Sequence, residues 1–175
     1  MNLQCVCLSL LLGGFAITQV REGVDVKGIA KRQVEDVNNA LVKEDYAKVI
    51  DLTYPKVIEL GGGREKMIGA LKASMSDLKT KGFALMSNKV DDPSEPVAAG
   101  DELFIVVTYL LEMKAPGGKL LQKSFVVGIS PDQGRNWTFI DGGTDVAKVR
   151  QFLPNLPERL KLPEQQPPVF EKDKS

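Results

Sequence analysis

The sequence contains no histidine, which removes the commonest general base near neutral pH and the commonest metal ligand. Both of its cysteines, Cys5 and Cys7, fall in the first ten residues. The body of the chain therefore has no thiol for nucleophilic catalysis, thiolate metal binding or an internal disulfide. Net charge is absent too, because 23 basic and 23 acidic side chains cancel. Nor are the signs segregated: residues 21–90 carry 13 basic and 10 acidic side chains, and residues 91–175 carry 10 and 13. Without a basic stripe, the electrostatic footprint of a nucleic-acid binder is missing, and no nucleic-acid partner is expected. No metal and no other cofactor is expected either.

What is present reads as one globular domain. At 175 residues, with 43% hydrophobic and 26% charged side chains, the chain can bury a sizeable core. Residues 5–17 form a nearly unbroken apolar run centred on Leu8, Leu10, Leu11, Leu12 and Phe15. That run is shorter than the roughly 20 residues of a membrane span. With the small residues Gly13, Gly14 and Ala16 behind its centre, it fits a secretory signal peptide over residues 1–20, cleaved between Ala16 and Val20. No Lys or Arg precedes it, so the amino terminus or a start further upstream supplies the positive charge. Export to the periplasm or the extracellular space is the expectation; the alternative is a buried N-terminal strand or helix.

Residues 24–63 read as two or three short helices. Val34, Val37 and Leu41 repeat at helical spacing, as do Tyr46, Val49, Ile50 and Thr53. Asp45 is placed to cap a helix starting at Tyr46, and Pro55 suits the first turn of the next. Gly61, Gly62 and Gly63 then break the chain before residues 64–81, expected as the longest helix. Met67, Ile68, Leu71, Met75 and Leu78 line one face of it, and Gly82 closes it. The triple glycine before Arg64 and Lys66 lacks the Gly-Lys-Ser/Thr of a phosphate loop and reads as a helix break.

The second half reads as strands. Residues 83–90 are a first strand, and 91–96 a polar, proline-bearing loop. Residues 102–114 are apolar on both faces through Phe104, Ile105, Val106 and Val107, which marks a central strand covered on both sides. Residues 115–118, Ala-Pro-Gly-Gly, turn the chain into a return strand over 119–130, and 136–141 form the last strand. Beyond 143 come a short helix over 146–153 and a proline-punctuated arm to residue 163. The charged, proline-bearing residues 164–175 are expected to be disordered. The fold class is α+β, with N-terminal helices packed on a curved antiparallel sheet.

This element order resembles the nuclear-transport-factor-2-like (NTF2-like, SnoaL-like, ketosteroid-isomerase-like) superfamily. Residues 40–46, Ala-Leu-Val-Lys-Glu-Asp-Tyr, look like its first helix junction, and residues 135–141, Arg-Asn-Trp-Thr-Phe-Ile-Asp, like its last strand. The resemblance covers about residues 25–143, so that 21–143 would be the domain and 144–163 an arm of the kind exported bacterial members carry. It implies a conical pocket between helices and sheet and a homodimer through the sheet's outer face. It does not imply one function, because enzymes and non-catalytic binders share that fold.

A carboxylate-dependent enzyme of this type needs a desolvated Asp or Glu facing a donor. The candidates are Asp141 and Glu112 as base, with Tyr54 and Tyr109 as donors. Their structural readings are a turn-former for Asp141, a solvated strand-end charge for Glu112 and a core or dimer-face aromatic for Tyr109. Trp137 and Phe139 alternate onto one strand face with Asp141. They would give an apolar wall with a carboxylate at its rim, suited to a small amphipathic ligand; otherwise Trp137 simply fills the core or a dimer interface. The sequence thus points to an exported, non-catalytic binding or accessory module with a small-molecule pocket. A ketosteroid-isomerase-like enzyme and an envelope-associated scaffold using the proline-rich arm are the alternatives.

Overall fold

A computed structural model describes residues 24–143 and 146–173. The expected signal peptide and both cysteines lie outside the described residues. Helix α1 (Val26–Val42) opens on Asp25, whose carboxylate accepts from Gly28 N at 2.9 Å. Helix α2 (Tyr46–Asp51) opens on Asp45 in the same way, accepting from Lys48 N at 3.1 Å. Pro55 stands at the first position of α3 (Pro55–Leu60), where its missing N–H costs nothing. Helix α4 (Arg64–Thr80) ends in a full Schellman closure: Gly82 takes φ +82, Phe83 N donates to Leu78 O and Gly82 N to Lys79 O, each at 3.0 Å. At 17 residues it only equals α1, so the expectation of short helices before it and of a single longest one is corrected. Val34, Ala30 and Ala40 bury a continuous stripe on α1, which keeps that helix intact through to Lys43.

The strands are β1 (Ala84–Val90), β2 (Val97–Ala99), β3 (Glu102–Ala115), β4 (Gly118–Ser130), β5 (Thr138–Asp141) and β6 (Val169–Lys172). All pair antiparallel, in the order β1-β3-β4-β5, with β2 on β3 and β6 on β4. The molecule is thus an α+β fold with a six-stranded antiparallel sheet. Its spine is the β3–β4 hairpin, paired from Leu103↔Ser130 to Ala115↔Gly118. Pro116 and Gly117 (φ +77) make the turn, a pairing of fixed and left-handed φ suited to these residues. The last strand starts at Thr138, one residue later than needed to include Trp137. The expected disordered tail is corrected in part, since residues 169–172 add to the β4 edge through Gly118–Leu121.

Alternation along β3 explains its apolar character on both faces. Ile105 and Val107 point to the helices with Trp137 and Phe139, against Ala30 and Val34. Phe104 and Val106 point the other way with Phe125 and Val127, against Val149, Leu153, Leu156 and Leu160 of the C-terminal arm. The arm's short helix α5 (Val146–Phe152) starts that cover. At the sheet's other side the α2–α3 connection clips onto β5: Phe139 N donates to Leu52 O at 2.8 Å and Tyr54 N to Phe139 O at 2.9 Å. Among the described residues no helix is long and apolar enough to cross a membrane.

Candidate functional site

The helical layer does not close over the sheet. Helix α1 lies directly on β1 and β3, whereas α4 packs on α2 and α3. The stripe Met67, Ile68, Leu71, Met75 and Leu78 does face inward, yet all five are only half-buried and α4 has no buried residue. Charge fastens its two ends. Arg64 donates from Nε and Nη2 to the two carboxylate oxygens of Asp51 at 2.7 and 3.1 Å, which holds the Asp51 carboxyl below its usual range. Lys79 pairs with Glu44 at the other end.

Between α4, α1 and the sheet this leaves a cavity of about 380 Å³. Its wall is mainly aliphatic and aromatic, with Val37, Leu41, Leu71, Val126 and Phe139 prominent. Four polar side chains interrupt it: Asn38, Thr53, Tyr109 and Asp141. Thr53 is satisfied, its Oγ1 donating to Val49 O at 3.0 Å. Asn38 is not: the residue is 8% exposed and its Nδ2 is buried without a hydrogen-bond partner, an arrangement that costs free energy unless something supplies the bond.

Tyr109 projects from β3 toward the same space. Burial pushes its phenol up to about 12, the Asp141 carboxylate adds to the shift, and a hydrogen bond with Ser124 opposes it. The phenol is therefore a neutral donor at any physiological pH. Asp141 ends β5 and is exposed. Its Oδ1 accepts from Gly143 N at 2.8 Å, so it shapes the turn and also stands at the cavity rim.

Of the other expected site residues, only Phe139 joins the cavity. Trp137 is fully buried beneath α1, its Nε1 donating to Gly134 O at 3.1 Å and its backbone N to Gln33 Oε1 at 2.9 Å. It fills the core because Gly128, across the pleat, leaves room for it; a Cβ there would come within 3.0 Å of both Trp137 and Phe139 rings. Glu112 faces away from the helices, where Lys119 Nζ sits 3.3 Å from its Oε1; it is a solvated strand-end charge and not a cavity base. Tyr54 packs toward the arm-side core, and burial, then the Glu102 charge, raises its phenol. The two tyrosines thus serve different faces.

Asn38 is the cavity residue that sequence reasoning missed. Its signal was available: position 38 lies within the Val34, Val37, Leu41 stripe, where a polar side chain must enter the core. Asn88 on β1 is similar, with both side-chain polar atoms buried and unpaired. A second, smaller cavity of about 220 Å³ opens where the arm crosses the sheet near Thr108, Ser124 and Gln165; its lining mixes Asp91, Lys123 and Glu164, opposed charges within one small space. Among the described residues no group of three or more His, Cys, Asp or Glu side chains is disposed to hold a metal ion. Comparison with family models, with curated proteins and with solved structures gave no match.

Proposed function

We propose that this chain is an exported, non-catalytic binding module on an NTF2-like frame, holding a small and largely apolar ligand between its helices and its sheet. The observation that carries the reading is the cavity of about 380 Å³, within the roughly 300–1,000 Å³ of ligand pockets, apolar with a few polar groups. Its looser wall, α4, offers a way in, since its inward side chains are only half-buried and the ion pairs at its ends are exposed. Two facts support binding over catalysis. Asp141 is exposed and engaged in its own turn, and Glu112 lies on the other sheet face.

The enzyme alternative retains one specific observation: Tyr109 and Asp141 border the same cavity, as a donor and a base would. Neither the scaffold reading nor an outer-face homodimer gains such support, because Leu156 and Leu160 of the arm are buried against that face. A dimer would have to use the part the arm leaves open, near Leu121 and the exposed Val169.

The binding reading is tested by titrating the protein with small amphiphiles and following thermal stability and calorimetric heat. Saturable binding that is lost in Leu71→Trp, which fills the cavity from its half-buried wall, is the expected result. Binding that survives in Leu71→Trp would place the ligand elsewhere. Turnover of a 3-oxo-Δ5 steroid that Tyr109→Phe and Asp141→Asn both abolish would favour the enzyme.

A further inference from the structure

The charge pattern of the cavity selects among amphiphiles. Among the described residues, Asp141 is the one charged side chain in its lining, and no Lys or Arg borders it. One oxygen of that carboxylate accepts from Gly143 N, and none of the ion pairs among the described residues uses Asp141. Asn38 also lines the cavity, with its Nδ2 enclosed in the wall. Tyr109 lines the same cavity. An anionic head group, such as the carboxylate of a fatty acid, would meet a like charge at the rim and, among the described residues of the lining, no cation. A cationic head group would meet its complement there, while its apolar body would lie against the aliphatic and aromatic wall.

Resting on the cavity reading above, we infer that this site takes an amphiphile with a cationic head and an apolar body, the ammonium at Asp141 and the body along the apolar wall. Fatty acids and other anionic lipids are disfavoured by the same charge. At a solvent-exposed rim, attraction for one sign and repulsion for the other together separate the two heads by roughly tenfold in Kd, and salt weakens the preference.

Three probes with one chain length separate the possibilities: decylammonium, 1-decanol and decanoate, each titrated calorimetrically at pH 7 below its aggregation limit. The expected order is decylammonium, then decanol, then decanoate. In Asp141→Asn, whose side-chain oxygen can still accept from Gly143 N, the order collapses to near equality. In 0.5 M NaCl the gap narrows in the unmodified protein. Equal binding of all three, or tightest binding of decanoate, would overturn the head-group inference and leave the cavity reading standing. Binding of none would remove the cavity reading and this inference with it. Should decylammonium bind equally well in Leu71→Trp, the cation is being held on the surface, and the assignment to this cavity fails.

Discussion

On the arm side of the sheet, Phe104, Val106, Phe125, Val127 and Ile129 meet Val149, Leu153, Leu156 and Leu160, and every one of these residues is buried. On the helix side, packing of that quality exists only beneath α1 and gives way to a cavity beneath α4. Both covers answer the same demand, since a strand apolar on both faces leaves too large a patch unless each is covered. They answer it differently. The arm packs buried apolar side chains against the sheet face, whereas α4 turns only half-buried side chains inward and carries exposed ion pairs at its ends, Arg64–Asp51 and Lys79–Glu44. Exposed ion pairs add little stability and do not fill the space behind them. The arm side therefore stores stability, and the helix side leaves room for a ligand.

The largest test of this contrast is a pair of truncations. Leu153→Ala removes a fully buried side chain from the arm face and is expected to cost about 2–5 kcal/mol. Leu71→Ala removes the same atoms from the half-buried α4 wall, beside an existing void, and should cost about 1 kcal/mol or less. Urea unfolding of the two variants measures both. Equal losses would mean that α4 packs as tightly as the arm, and the contrast between faces would go.

Next comes the boundary between the tight and open parts of the helix face. Gly128 pairs with Ile105 and Phe139 on its two sides, and an added Cβ would approach Ile105, Phe139 and Trp137 at 2.9–3.0 Å. Gly128→Val should therefore destabilise by about 1–3 kcal/mol through overpacking. It should also shift the Trp137 fluorescence, because the indole must move. A tolerated valine with an unchanged spectrum would show slack where the packing here is read as full.

Tyr109 sharpens the comparison from the cavity side. Its phenol titrates near 12 in the fold and near 10 when unfolded. Because the folded value is the raised one, its contribution is intact below pH 10. It is lost as pH rises through 12, by on the order of 2 kcal/mol. Tyr109→Phe should flatten that part of the stability profile relative to the parent, while Tyr46 and Tyr54, also raised by burial, keep a residual slope. Identical profiles for parent and variant between pH 10 and 12 would show that the phenol is not desolvated at the cavity wall.

The sequence carried most of this organisation wherever side chains alone decide it. The α4 stripe, the caps at Asp45 and Gly82, the Pro116-Gly117 turn and the need to cover β3 twice all follow from local pattern. β2 and β6 escaped because the backbone edges of β3 and β4 recruit them. Val169 and Phe170 are exposed even though they are paired, so no burial signal marks them. For the site, alternation correctly put Trp137 and Phe139 on one face. Which of them meets a cavity depends on where α1 ends its contact with the sheet, and that is a tertiary fact. Ala30 and Gln33 bring α1 onto Trp137, and the opening begins only beyond it. Asn38 was visible as a polar residue in an apolar stripe; its lack of a partner was not.

The smallest expected effect concerns how α4 is hung. Glu44 closes α1 in a Schellman turn at φ +60, with Asp45 N donating to Ala40 O at 2.8 Å and Glu44 N to Leu41 O at 3.2 Å. Glycine is the usual residue at such a position, because a Cβ is strained there. Glutamate's presence is explained by what its side chain does: it pairs with Lys79 at the far end of α4, and that hydrogen bond lowers the Glu44 carboxyl and raises the Lys79 ammonium. Glu44→Gly relieves the backbone but unhooks α4, so its melting temperature should stay within about 2 °C of the parent's. In a Lys79→Ala background no pair remains to lose, and the same change should raise the melting temperature by about 2–4 °C. Hydrogen exchange in the last turn of α4 should accelerate in Lys79→Ala and in Glu44→Gly alike. If Glu44→Gly lowers stability even without Lys79, backbone strain is not what the tether overcomes, and α4 is held by its apolar face after all.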